Sequence, residues 1–335
     1  MIWRISLGVL LLATLSLVGG LALEYQHFLK TPLSVSGPRA VVEIPRGTSL
    51  NALTHDLVQR GILARPYYFV ALAYRKGQQS SIKAGEYAVT PDMTPSAFLD
   101  HIVSGKVIQY DLTIVEGRTF RQALAVLDAQ EALTGEPLSQ LSDDALMERL
   151  GRPGMHPEGL FFPDTYRFPR HMARLALLKQ TMRRMDRILE EAWEDREPNL
   201  PFSTPYEALI MASIIEKETA VAAERPQIGG VFVRRLRMGM RLQTDPTVIY
   251  GLGEQFDGNL RRADLRADTP YNTYVIDGLP PTPIALPGRG AIRAAVRPAA
   301  GDSLYFVAKG DGTHAFSRTL QEHNRAVRRY ILSKP

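Results

Sequence analysis

The segment Thr204–Glu218 leaves the rest of the chain little freedom. Thr204 is a favourable helix N-cap, Pro205 suits the first helical position, and Glu207 completes a capping box. The helix they start is apolar around most of its circumference, through Leu209, Ile210, Met211, Ile214 and Ile215, and such a helix is packed inside a domain. A core must be built around it, yet it ends in the charged triplet Glu216-Lys217-Glu218.

The two glutamates lie about 200° apart on a helix of 3.6 residues per turn, so they cannot line one site as a pair. Glu218 follows Ile214 and Ile215 at i−4 and i−3, whereas Glu216 follows Ala212 and Ser213. Glu218 therefore has the drier surroundings, and desolvation raises a carboxyl pKa, as a general acid requires. A solvated C-terminal turn is the alternative, because charge runs commonly face water.

At 335 residues, 45% hydrophobic and 22% charged, the chain has room for two or three domains with sizeable cores. It has no cysteine, which excludes disulfides and thiolate chemistry. A net charge of +5 favours an acidic partner such as nucleic acid, anionic lipid or an acidic cell-wall polymer.

Residues 5–23 carry no charge and would make a helix about 28 Å long, close to the thickness of a hydrocarbon core. With Arg4 before it and Glu24 after it, residues 1–4 are expected in the cytoplasm and the remainder outside. A cleaved signal peptide is the competing reading, with Gly20 and Ala22 as a small-x-small site, but the apolar run exceeds the usual length. Residues 24–39, with Pro32, Ser34, Ser36, Gly37 and Pro38, have linker composition.

From Ala40 the pattern predicts a strand to Ile44, a helix over Leu50–Gln59 stopped by Gly61, a helix over Pro66–Tyr74, a strand at Gly85–Thr90, a helix at Pro95–Val103 and a strand at Val107–Val115. The stretch from Ile44 to Leu57 recurs from Ile114 to Leu127 with isoleucine, glycine, a hydroxyl cap and a final leucine at the same spacing. A strand, glycine turn and capped helix are thus used twice. Residues 129–199 read as mostly helical, and Pro157–Phe168 either packs in the core or, with Glu158 and Asp164, lines a groove. Thr269–Gly288 is an ordered, proline-rich loop of the kind that carries sites. The chain ends in a hairpin, Ser303–Lys309 with Thr313–Ser317, and a helix over Leu320–Leu332.

No phosphate loop, HExxH motif, Cys/His cluster or GxSxG elbow occurs. The seven histidines lack metal-ligand spacing, and neither a metal nor a cofactor is expected. In RLQTDPT (residues 241–247) Gln243, Thr244 and Asp245 are closely spaced polar groups, although Asp-Pro-Thr also suits a helix cap.

The stretch ASIIEKETAVAAERPQIGGVFVRRLRMGMRLQTDPTVIYG (residues 212–251) resembles the signature of the YceG/MltG-like endolytic murein transglycosylases, as do PEGLFFPDTY, YNTY, GLPPTPIALPG and the HAFS to EHN ending. The resemblance implies an α+β protein with a transmembrane helix (5–23), a LysM-like module with a connecting element (40–128) and a mixed α/β catalytic domain (129–335) with a lysozyme-like buried catalytic helix. It implies a single-pass inner-membrane protein with its catalytic part in the periplasm, acting on peptidoglycan strands beside synthases of the elongation or division machinery, without nucleic acid.

The glutamate before Thr219 falls where lytic transglycosylases place their catalytic acid, which assigns that role to Glu218. Gln243, Thr244, Asp245, Tyr271, Asn272 and His314 match family motif positions and are expected to grip the sugar. Arg297 departs from the neutral or histidine side chain expected before Pro298. The implied reaction cleaves the β-1,4 bond between N-acetylmuramic acid and N-acetylglucosamine and leaves 1,6-anhydro ends; one carboxyl group suffices because the substrate's own C6 hydroxyl is the nucleophile. A non-catalytic peptidoglycan-binding scaffold that recruits synthases, and a hydrolase using Asp245 as second carboxylate, are the alternatives.

Overall fold

The computed structural model describes residues 2–332, with side chains from Leu7 onward. Met1 and the Arg4 side chain, on which the orientation of the chain was argued, lie outside what is described, as do residues 333–335. The chain forms two compact units, residues 1–110 with 168–171, and residues 111–167 with 172–335.

The first unit contains α1 (Ile2–Lys30), β1 (Ala40–Ile44), α2 (Leu50–Gln59), α3 (Pro66–Arg75), β2 (Gly85–Val89) and α4 (Pro95–Ser104), and the chain leaves it along β3 (Gln109–Thr113). Strands β1 and β2 pair antiparallel with Val42 opposite Tyr87. Their inner faces bury Val42, Ile44, Tyr87 and Val89 against Leu53, Leu57, Phe69, Leu72 and Phe98. Each fully buried aliphatic or aromatic side chain contributes about 1.5–3 kcal/mol, so this cluster is a core of the unit's own.

Helix α1 does not stop at Leu23 but continues to Lys30, so the first seven residues of the expected linker (24–30) are helical. The cause is a second apolar pattern beyond the first. Tyr25, Phe28 and Leu29 follow helical spacing and pack on the first core, where Phe28 and Leu33 are buried. Backbone bonds from Leu33 to Met93 (2.8 Å) and from Ser34 to Ile62 (3.0 Å) also hold the segment. Over Leu7–Leu23 the large apolar side chains are exposed, and Leu7–Lys30 is long and apolar enough to cross a membrane.

The second unit contains α5 (Phe120–Asp128), β4 (Leu133–Thr134), α6 (Asp143–Leu150), β5 (Thr165–Pro169, which pairs with β3), β6 (Met172–Ala173), α7 (Arg174–Glu194), α8 (Pro205–Glu218), α9 (Arg225–Arg237), α10 (Asp245–Leu252), α11 (Arg289–Val296), the antiparallel hairpin β7 (Tyr305–Ala308) and β8 (His314–Ser317), and α12 (Leu320–Val327), prolonged by a π-helical turn to Leu332. The protein is thus mixed α/β with small two-stranded ribbons.

Helix α8 is the centre of this unit. Its Thr204 hydroxyl accepts from the Glu207 amide (3.2 Å), the Glu207 carboxylate accepts from the Thr204 amide (3.1 Å), and Ala208–Ile215 are all buried. Helices α7, α9 and α11 pack around it. Gly229 of α9 permits the closest approach: a Cβ there would stand 2.6 Å from the Ala294 carbonyl oxygen of α11.

The two halves of the internal repeat have matching local geometry. Gly47 and Gly117 both take left-handed φ values, 82° and 75°, and Ser49 and Thr119 each cap the following helix through a hydroxyl. Residues 157–168 pack in the core and do not form a groove: Phe161 and Phe168 are fully buried, and Phe161 stacks on Phe120 at 4.9 Å. Glu158 is buried with them, accepting from the Phe120 amide (2.8 Å) and the Tyr250 hydroxyl (3.1 Å), and burial pushes its pKa up to about 7.

Candidate active site

Glu218 is the last residue of α8, and at Thr219 the backbone turns to an extended conformation. The carboxyl group therefore emerges from the packed core at the negative end of a helix dipole. Burial raises its pKa most; the Thr244 hydroxyl, which donates a hydrogen bond to Oε1, lowers it; the Asp245 charge raises it; His314 and Arg235 lower it, and the balance stands at about 7. A carboxyl group poised there serves as acid and as base near neutral pH.

The other glutamate of the triplet is committed. Glu216 has a side chain only 5% exposed, ion-paired to Arg225 (2.8 Å) and accepting from the Gly288 amide (2.9 Å). A Cβ at Gly288 would meet the Glu116 carboxylate, which would have to swing aside. Only Lys217 of the triplet is exposed, and both glutamates are half-buried, so the solvated-turn reading fails.

Glu218 lies in the lining of two clefts. One, of about 310 Å³, is formed with Arg235, Gln243, Asp245, Tyr274, Tyr305 and His323 among others. The second, of about 590 Å³, is formed with Glu116, Arg118, Lys217 and Arg225 among others. Both volumes are within the range of about 300–1,000 Å³ typical of ligand sites.

The 243–245 segment forms the wall nearest Glu218. Thr244 occupies the N-cap position of α10 but makes no capping bond, because its hydroxyl is given to Glu218. Gln243 has a left-handed φ of 50°, uncommon for a non-glycine residue and of the strained kind that clusters at functional sites. Asp245 accepts a hydrogen bond from the Tyr274 hydroxyl at 2.6 Å. Burial, then the Asp245 hydrogen bond, raise the Tyr274 pKa and keep the phenol protonated.

The remaining expected residues are placed differently. Asn272 is fully buried, donating to the carbonyls of Asp264 (3.2 Å) and Ala267 (2.7 Å) and accepting from the Tyr274 amide (3.0 Å). It shapes the loop that carries Tyr274 and does not face the clefts. Tyr271 bonds Thr282 (2.8 Å) and packs edge-on to Tyr250, beside Glu158. His314 is held by Glu224, which accepts from its amide (2.9 Å) and meets Nδ1 at 2.7 Å. Burial pushes Glu224 up, but the bonds from His314 outweigh it and keep this carboxyl below its usual range.

Sequence reasoning missed Tyr274, Arg235 and Glu224. Tyr274 stands in the YNTY motif, but nothing in spacing distinguishes it from Tyr271. Arg235 is buried, donating to the carbonyls of Leu304 and Leu242 (both 2.7 Å) and lying over the Tyr305 ring. Arg297, the expected departure, pairs with Asp195 and Glu197, away from both clefts.

The family model described as YceG-like matches residues 42–329. The chain belongs to the YceG-like family. An endolytic murein transglycosylase of Bacillus subtilis (strain 168) is 33% identical over 340 residues, covering 95% of this chain and 92% of that protein. One of Streptococcus pneumoniae serotype 2 (strain D39 / NCTC 7466) is 28% identical over 358 residues, covering 96% of this chain but 64% of that protein. A 2.6 Å crystal structure of a yceG-like protein from Listeria monocytogenes aligns with a TM-score of 0.55 at 29% identity, covering 87% of this chain and 99% of that one.

Proposed function

We propose that the protein is a membrane-anchored endolytic lytic transglycosylase of peptidoglycan, with Glu218 as its general acid and base. The observation that carries this reading is a carboxyl group with no ion pair among the described residues, poised at about 7, in the wall shared by two clefts. The names of the relatives point to the same substrate.

Glu218 protonates the glycosidic oxygen between N-acetylmuramic acid and N-acetylglucosamine as the C1–O bond breaks. The C6 hydroxyl of the same muramyl residue then closes on C1, forming the 1,6-anhydro ring, and its proton returns to the Glu218 carboxylate. No water is consumed and no second carboxylate is needed. Glu216 and Glu224 are bound to Arg225 and His314, which leaves them unsuited to proton transfer. Gln243, Thr244, Asp245 and His314 are proposed to hold the sugar or tune Glu218, and Tyr271 and Asn272 to support the loop behind them.

The β1-α2-α3-β2 order supports reading the first unit as a LysM-like module, with the connecting element from residue 111 belonging to the second unit. The Leu7–Lys30 helix supports a single-pass inner-membrane anchor with the folded part in the periplasm. The lysozyme-like character of α8 rests on its burial and its terminal glutamate.

The hydrolase reading retains one observation in its favour: Asp245 shares a cleft with Glu218. Mass spectrometry of glycan strands treated with the purified protein and with Glu218→Gln decides among the readings. Anhydro ends from the native protein alone support the lyase, reducing ends support the hydrolase, and an absence of new ends supports the scaffold.

A further inference from the structure

The two clefts that meet at Glu218 are chemically unlike. The first is lined by Tyr274, Tyr305, Phe306, Leu320 and His323, rings and aliphatic surface of the kind that stacks on the apolar faces of pyranoses. Its one guanidinium, Arg235, is spent on backbone carbonyls. The second carries Arg118, Lys217 and Arg225 with Glu116 and Glu216.

Within the second cleft the charges separate into committed and free groups. Arg225 lies between Glu216 (2.8 Å) and Glu116 (3.5 Å), a trio of net charge −1 that occupies this guanidinium. Arg118 is exposed and its guanidinium has no hydrogen bond or ion pair among the described residues, while Lys217 makes only one bond, to the Gly117 carbonyl at 3.3 Å. The backbone beneath them is rigid. Gly117 donates to the Leu286 carbonyl (2.9 Å), Leu286 donates back to Arg118 (2.8 Å), and Lys217 sits in the last turn of the buried α8. Two exposed cations without ion pairs thus project from a fixed backbone into the cleft that Glu218 also lines.

Uncharged sugar rings have no use for such a pair, whereas carboxylates do. We propose that the second cleft is a subsite for the acidic stem peptide carried by the muramyl residue, with Arg118 and Lys217 pairing with its carboxylates. The proposal rests on the peptidoglycan reading above. It divides the substrate: pyranose rings lie against the aromatic cleft, and peptide carboxylates lie against the cationic one. Strands that bear peptides are then preferred to bare glycan.

The test measures binding, so that it does not depend on turnover. Full-length Glu218→Gln protein in detergent micelles is titrated against fluorescently labelled glycan strands of three kinds: stem peptides intact, stem carboxyls blocked as amides, and stem peptides removed. The expected result at low ionic strength is about tenfold tighter binding of the intact strands than of either other kind, with the preference fading as salt screens it. Adding Arg118→Ala and Lys217→Ala removes the preference and leaves affinity for bare strands unchanged; Arg118→Lys with Lys217→Arg retains it. Equal binding of all three strands, or an equal loss on all three in the double-alanine variant, overturns the proposal. Intact discrimination in a protein whose native form yields no new chain ends would instead remove only the catalytic reading.

Discussion

Replacing Thr244 with valine removes one hydroxyl and keeps the shape of the side chain. That hydroxyl donates to Glu218 and makes no helix-capping bond, so the change acts on the carboxylate and little else. A hydrogen bond to an ionised group is worth about 1.5–3 kcal/mol, and one pKa unit is about 1.4 kcal/mol. The bond favours the charged form, so its loss raises the Glu218 pKa by about 1–2 units from its value of about 7. Glu218 must be protonated to deliver its proton to the glycosidic oxygen, and kcat/KM therefore falls as pH rises through its pKa. The assay is the initial rate of new chain ends on purified strands at subsaturating concentration, from pH 5 to 9. Thr244→Val should move the alkaline limb upward by that interval. An unmoved limb, or one displaced to lower pH, would refute the assignment of this titration to Glu218.

The neighbouring charge predicts the opposite displacement. Asp245→Asn removes a group that raises the Glu218 pKa, so the alkaline limb should move to lower pH while the products remain anhydro-ended; loss of all turnover would favour the hydrolase. Glu218→Gln should stabilise the fold selectively at high pH. The folded pKa lies above the ordinary carboxyl value, so ionisation costs stability progressively from about pH 4.5 to 7, and the deficit persists above it. Allowing for the partial exposure of the side chain, the deficit is on the order of 1–2 kcal/mol, seen as a higher melting temperature for the variant at pH 8 and none at pH 4. Gly229→Ala should destabilise by about 1–3 kcal/mol through overpacking at α9–α11, measured by denaturant unfolding, with helix content retained.

The local chemistry of this chain was legible in one dimension. The α8 boundaries, its capping box, the Ser49 and Thr119 caps and the terminal hairpin follow from residues within a few positions of one another. Such signals act through backbone hydrogen bonds between near neighbours. The contrast between Glu216 and Glu218 is only partly local: neighbours on one helix predict that Glu218 is the drier, yet both residues are half-buried and the Glu216 side chain is only 5% exposed, and what separates them is the commitment of Glu216 to Arg225 and Gly288.

Tertiary structure decided everything that depends on groups distant in sequence. Thr244 meets Glu218 across 26 positions, Tyr274 meets Asp245 across 29, and Glu224 meets His314 across 90. It also buries Arg235 in the wall of one cleft and sets the Gly117 turn of the repeat, with Arg118, in the lining of the other beside Glu218. Sequence pattern reports which side chains an element buries or exposes, because that is written in its period. Which buried groups face each other is set by how elements pack, and packing is a property of the whole unit. The helix ending at Glu218 was therefore specified by its own residues, while the pKa near 7 and the two unlike clefts beside it come from residues that only the fold brings to it.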